Sequence, residues 1–147
     1  MNLADIILIE DNHQDIEMII DSFNGLDMNP VVLAFNDGAK ALNYFFNAQE
    51  CPVTSASRMP KLILLDLKLP KINGLEVLKH LKSDDRTKLI PVAVFSSSNE
   101  FTDKLQAYSL GANSYIVKPL DADDFYRLVA EIGSYWLSAN TAIHDDA

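Results

Sequence analysis

Five short apolar runs punctuate the chain, and each leads into a stretch where apolar residues recur every three or four positions. The third run, Leu62 to Leu65, lies inside Pro60-Lys-Leu-Ile-Leu-Leu-Asp66-Leu-Lys-Leu-Pro70 and has no polar alternation. A strand of that kind is buried on both faces, as in a parallel sheet covered by helices. Ala4 to Ile9 repeats the pattern and ends in Glu10-Asp11-Asn12, while Pro30 to Phe35, Pro91 to Ser96 and Tyr115 to Lys118 complete the set. Between the runs the period changes. Ile16, Ile19, Ile20 and Phe23 share one side of a 3.6-residue repeat with Glu17 and Asp21 opposite, which predicts a helix from Asp15 that ends at Asn24-Gly25. Ala41, Leu42, Phe45 and Phe46 mark a second helix over Ala39 to Phe46. A third, Leu75 to Leu81, turns Leu75, Leu78 and Leu81 inward and Glu76, Lys79 and Lys82 outward. The fourth runs from about Phe101 to Ser109 and stops at Leu110-Gly111-Ala112, where Gly111 suits a left-handed cap. The last begins at Asp121 and runs to about Leu137. Cys51 to Met59 has no period and reads as an exposed loop, longer than the usual helix-to-strand link.

Five strand-then-helix units argue an α/β fold, a doubly wound parallel sheet with helices on both faces. Right-handed crossovers then bring the carboxyl ends of all strands to one rim, the edge at which open α/β sheets bind ligands. Glu10, Asp11, Asp66, Ser96 and Lys118 all fall on it. One polar residue at a strand end is only a turn; five such residues together are a candidate site.

Composition narrows the chemistry. The 147 residues are enough for one domain, and 48% apolar with 22% charged is ordinary for a globular protein. Twelve basic against 21 acidic residues, a formal charge of -9, argues against nucleic-acid binding, because phosphate contacts need clustered Lys and Arg. The single cysteine, Cys51, has no partner for an internal disulfide, and neither a leader nor a long apolar run is present, so a cytoplasmic protein is expected.

Clustered carboxylates repel one another and stay charged only beside a cation. Mg²⁺ suits this rim, since it prefers oxygen and is commonly held by one or two carboxylates with water and phosphate oxygens. His13, His80 and His144 are scattered, so no soft-ligand metal site is expected; His13 lies near the rim and His80 reads as surface. With Mg²⁺ in place the remaining groups describe phosphoryl transfer: Asp66 as nucleophile, Lys118 neutralising a phosphoryl oxygen, and Ser96 donating to the acylphosphate.

Over essentially its whole length the chain resembles the receiver domain of two-component response regulators, the flavodoxin-like, CheY-like family. The resemblance rests on Glu10-Asp11, Leu65-Asp66 with Leu69-Pro70-Lys-Ile-Asn-Gly74, Ser96, and Tyr115-Ile-Val-Lys118-Pro119. It implies a five-stranded sheet in the order 2-1-3-4-5 with five helices, and a single receiver domain over 1–147 without an output domain. It further implies phosphotransfer from a histidine kinase, and a protein that catalyses its own phosphorylation and dephosphorylation rather than a conventional enzyme. Mg²⁺ contacts are implied for Asp11, Asp66 and the backbone carbonyl of Lys68, with Glu10 acting through water. A cis Lys118-Pro119 bond is implied, as is a switch in which Ser96 moves toward the phosphoryl group and Tyr115 turns inward behind it. Lys68 stands where the family tunes autodephosphorylation. The Cys51 to Met59 loop makes the chain similar to the small stand-alone regulators that partner cyanobacterial and other bacterial phytochromes.

Surfaces complete the expectations. Ile19 is the expected exposed member of the first helix and the candidate kinase-docking residue. On the last helix Phe125, Val129, Ile132 and Trp136 form one stripe and Leu128 and Tyr135 a neighbouring one, flanked by Tyr126. One stripe covers the sheet, so the rest of this helix surface, Leu128, Tyr135 and Trp136, with Phe101, Leu105 and Tyr108 of the fourth helix, is a candidate homodimer surface or a site for a downstream protein. The family implies the same, since receivers often dimerise through these elements. Tyr115 also reads as an ordinary core aromatic. Three rivals stand beside the phosphoacceptor reading. A degenerate receiver would serve as a phosphorylation-independent protein-binding module. A dehalogenase-type phosphatase would want an acid where Lys68 stands, and a flavodoxin-like cofactor protein a phosphate loop where Glu10-Asp11 stands.

Overall fold

The computed structural model describes residues 4–47 and 59–143, so Cys51 to Arg58 of the expected loop, and His144, lie outside the described residues. In chain order the elements are β1 (Ile6–Ile9), α1 (His13–Asn24), β2 (Val32–Phe35), α2 (Gly38–Leu42), β3 (Leu62–Leu65), α3 (Gly74–Ser83), β4 (Val92–Ser96), α4 (Phe101–Ser109), β5 (Ser114–Val117) and α5 (Ala122–Ser134). One turn of π-helix continues α2 over Asn43–Asn47, and another continues α5 over Tyr135–Ala139. The strands form one parallel sheet in the order β2-β1-β3-β4-β5. This is the topology expected.

The unbroken apolar runs have a simple cause. Side chains alternate between sheet faces with period two, and here both faces are covered. Ile7, Ile9, Ile63, Leu65, Val92 and Val94 pack against Ala41, Phe45, Val77, Leu78, Leu81 and Ala107 from α2, its π turn, α3 and α4. Ile6, Leu8, Leu62, Leu64, Ala93 and Phe95 pack against Ile19 and Phe23 of α1 and Phe125, Val129 and Ile132 of α5. A polar residue in either set would lose its water without gaining a partner.

Helix starts follow local chemistry. Asn12, Asp37, Asn73 and Asp121 each accept, on a side-chain oxygen, a backbone N–H from three residues on. Asn12 therefore begins α1 earlier than the apolar period suggested. Gly111 has φ +105, the left-handed cap expected of it, but Gly25 closes α1 with φ -77, an ordinary right-handed value.

Several packing expectations are corrected. Ile19 is 0% exposed, because α1 points it straight at the sheet between α1 and α5, and it is no docking residue. Lys82 does not face water freely: its ammonium donates to the carbonyls of Lys88 and Ile90 and to Asn113 Oδ1, with its stem under Gly111. It thereby ties the end of α3 to the strands at the foot of the sheet. The Lys118-Pro119 bond is trans, not cis.

Candidate functional site

The register sets the rim. Ile9 lies level with Phe35 on one side and Leu65 on the other, so β1, β2 and β3 end in line. Backbone ladders continue one residue further, with Glu10 N–H donating to the Phe35 carbonyl at 3.0 Å and Asp66 N–H to the Ile9 carbonyl at 2.9 Å. Glu10 and Asp66 thus emerge from adjacent strands as the first residues past the sheet. Ser96 ends β4 level with Val117, and Lys118 N–H donates to the Ser96 carbonyl at 2.8 Å.

The side chains converge. Lys118 Nζ donates to Glu10 Oε1 at 2.6 Å, Asp15 Oδ2 at 2.8 Å and Asp66 Oδ2 at 3.3 Å. Glu10 is 1% exposed and Asp66 8% exposed, so two of the three carboxylates facing this ammonium lie away from bulk water, with Asp15 half-buried beside them. Burial, reinforced by the charge of Asp66, pushes the Glu10 carboxyl up to about 7. Burial works against the Lys118 ammonium, yet hydrogen bonds to Asp15 and Glu10, together with the charges of Glu10 and Asp66, outweigh it and hold its pKa above that of an ordinary lysine. The physical sense is one of charge deficit: a single cation is too little for this many acids.

A metal would make up the deficit. Glu10, Asp11 and Asp66 each offer a carboxylate oxygen, all within 4.8 Å of one another, and Asp11 is exposed, so water can complete a coordination shell. Hard oxygen donors of this kind fit a divalent cation of the Mg²⁺ or Mn²⁺ class. Lys68, next along, is exposed, with its backbone N–H 3.5 Å from Asp66 Oδ1, the outer limit of a hydrogen bond. His13 opens α1 on the surface, and His80 is exposed beside Glu76.

Across the rim, Ser96 is fully buried and its Oγ accepts the Ser98 N–H at 3.1 Å. Tyr115 Oη donates to the Ser98 carbonyl at 2.9 Å, while Ser98 Oγ donates to Asp103 Oδ2 of α4 at 2.5 Å. Ser98 is therefore the junction of Ser96, Tyr115 and the first turn of α4. Sequence reasoning missed both Ser98 and Asp15. Asp15 had a faint signal, four residues after Asp11 in the first turn of a helix leaving the rim, whereas Ser98 was one of three serines in a row.

The candidate interface residues divide. Phe101, Leu105 and Tyr108 of α4 are exposed, Phe101 to 71%, and Tyr135 is exposed as well. Leu128 and Trp136 instead pack at the margin of the α1–α5 core, and Trp136 meets Tyr135 edge to face. The helical period sets Tyr135 and Trp136 on neighbouring stripes, and packing decides that the stripe of Trp136 meets the core. No helix among the described residues is long and apolar enough to cross a membrane.

Known proteins share this fold. The family model for the response regulator receiver domain matches residues 6–130. A probable methanogenesis regulatory protein, FilR2, of Methanothrix harundinacea is 38% identical over 135 residues, which is 92% of this chain and 84% of that one. Response regulator Rcp1 of Synechocystis is 32% identical over 92% of this chain and 90% of its own. The Mn²⁺-bound structure of Rcp1 superposes with a TM-score of 0.84 over 93% of this chain and 96% of that one, at 31% identity. The phosphorylated cyanobacterial phytochrome response regulator RcpA superposes with a TM-score of 0.87, covering 97% of this chain and 99% of that one at 38% identity.

Proposed function

The chain belongs to the response regulator receiver domain family, and from that premise we propose that Asp66 is the residue on which it accepts a phosphoryl group. The observation that carries the assignment is the convergence of the Lys118 ammonium on Asp66 beside Glu10 and Asp11, at the mouth of the sheet. In the transfer, an Asp66 carboxylate oxygen bonds to phosphorus as the P–N bond of a phosphohistidine breaks. The electron pair stays on the imidazole nitrogen, which takes a proton from solvent. Held by Asp11, Asp66 and the Lys68 carbonyl, with Glu10 acting through water, Mg²⁺ would supply Lewis-acid neutralisation of the carboxylate and phosphoryl oxygens. Lys118 supplies a second positive charge beside Asp66. Ser96 Oγ already accepts from Ser98 and has its own proton to donate to a phosphoryl oxygen. Turning it disturbs Ser98, and through Ser98 both Tyr115 and α4.

The full-length likeness to RcpA and Rcp1 supports a cytoplasmic histidine kinase of the phytochrome kind as donor. Phosphate from such a kinase, or from acetyl phosphate with Mg²⁺, should appear as an acid-labile, hydroxylamine-sensitive label on the wild type and be absent from Asp66→Asn. That variant should fold normally, since the amide has the same shape. Equal labelling of both proteins would remove Asp66 from the assignment, and no labelling of either would leave a receiver used only as a binding module.

For output, the exposed Phe101, Leu105, Tyr108 and Tyr135 support a homodimer formed through α4 and α5. Phosphorylation would bias it through Tyr115 on β5. Sedimentation at micromolar concentration should show a dimer that strengthens with phosphate. A monomer in both states would leave the patch to a different downstream protein, while a dimer indifferent to phosphate would remove the switch.

A further inference from the structure

We propose that Asp15 is a positioning residue for phosphotransfer, the fixed carboxylate about which the Lys118 ammonium turns from Asp66 toward an incoming phosphoryl group. The inference rests on the phosphoacceptor reading above and adds to it a residue from a different element.

An acid in the first turn of a helix has an ordinary use, because it favours the helix dipole. That use explains why α1 tolerates Asp15, whose own N–H is capped by Asn12 Oδ1 at 3.0 Å. It does not explain where the carboxylate goes. A side chain serving only the helix end would face water. Asp15 instead reaches 2.8 Å from an ammonium 103 residues away in sequence, and it sits closer to that ammonium than Asp66 does at 3.3 Å.

The three acceptors of Lys118 are not equivalent. Glu10 and Asp66 also belong to the carboxylate cluster suited to a divalent cation; Asp15 does not. A cation there draws on the oxygen lone pairs of Glu10 and Asp66 and repels the ammonium electrostatically. Asp15 is then the acceptor of the three that still belongs wholly to Lys118. Its backbone is held in place because Ile19, one helical turn on, is buried against the sheet. Without that anchor the long, flexible lysine would move toward water as the metal enters, and the phosphoryl group would arrive at a site with its second positive charge displaced.

The test compares wild type, Asp15→Ala and Asp15→Glu, each also in a Lys118→Ala background, with acetyl phosphate and saturating Mg²⁺. Loss of one charge-assisted anchor should slow uptake at saturating donor by about tenfold, and Asp15→Glu should recover part of the rate. In the Lys118→Ala background, removing Asp15 should change the residual rate no further. A second readout is independent of activity: with saturating Mg²⁺ and no phosphodonor, the Lys118 ammonium resonance, slowed in exchange by its carboxylate partner, should be visible in wild type and lost in Asp15→Ala. The proposal is overturned by wild-type uptake in Asp15→Ala, by an equal loss in the Lys118→Ala background, or by an unchanged ammonium resonance. If wild type labels at Asp66 and any of these follows, only the role of Asp15 fails. If wild type does not label at Asp66, the phosphoacceptor reading fails and takes this one with it.

Discussion

Lys118→Ala should lose about 2–4 kcal/mol of stability in the absence of metal, because it leaves buried carboxylates without their cation. The variant removes the ammonium shared by Glu10, Asp15 and Asp66, of which Glu10 is almost fully enclosed. Protonation of Glu10, already pushed up to about 7 by burial and Asp66, limits the loss. The carboxylates of Glu10, Asp11 and Asp66 survive the change. Millimolar Mg²⁺ should therefore raise the melting temperature of Lys118→Ala by more than it raises that of wild type, since the metal now supplies the only compensating charge. Phosphate uptake should nonetheless fall by about 10- to 100-fold, because the second positive charge on the transferring group is gone. Thermal unfolding with and without Mg²⁺, beside acetyl phosphate labelling, checks both halves. A variant as stable as wild type without metal would mean that the ammonium does not hold the cluster together.

Gly74→Ala should be among the most damaging single-methyl additions in the chain. A Cβ on Gly74 would lie 2.2 Å from the Asp66 carbonyl oxygen and 2.5 Å from Leu67 Cα. Both are backbone atoms that no rotamer change can move aside. The start of α3 is pressed against the segment that carries Asp66, and Gly74 N–H donates to the Leu67 carbonyl at 2.8 Å. Relief has to come from moving α3 or the β3–α3 turn. We expect a loss of about 3 kcal/mol and, since small displacements of a reacting group are costly, a drop of about 10- to 100-fold in phosphate uptake. Gly25→Ala is the control, because its nearest neighbour, the Ser22 carbonyl, is an ordinary 3.4 Å away. Urea unfolding of the two variants should differ widely. Matching midpoints, with wild-type labelling of Gly74→Ala, would refute the close approach.

The sheet and its rim were legible because both rest on short-range regularities. Apolar runs without alternation are what parity demands when helices cover both faces of a sheet, and strands running one way must finish at one edge. Glu10, Asp11, Asp66, Ser96 and Lys118 could therefore be placed together from chain position alone, and a shortage of positive charge among them pointed to a divalent cation. Helix 3.6-periodicity likewise named the buried faces, but only as a stripe of finite width. Within such a stripe a rotation of α1 decides that Ile19 is buried while Ile16 and Ile20 lie at its margin. The π turn after Ser134 sends Tyr135 outward and Trp136 against the core. Lys82 looked like any outward lysine until the strand ends beneath it supplied three acceptors.

The acceptors of Lys118, and the tie from Ser98 to both Tyr115 and α4, belong to the tertiary structure for the same reason. Hydrogen bonds depend on tenths of an ångström between segments far apart in the chain, which only the packed arrangement of sheet and helices sets.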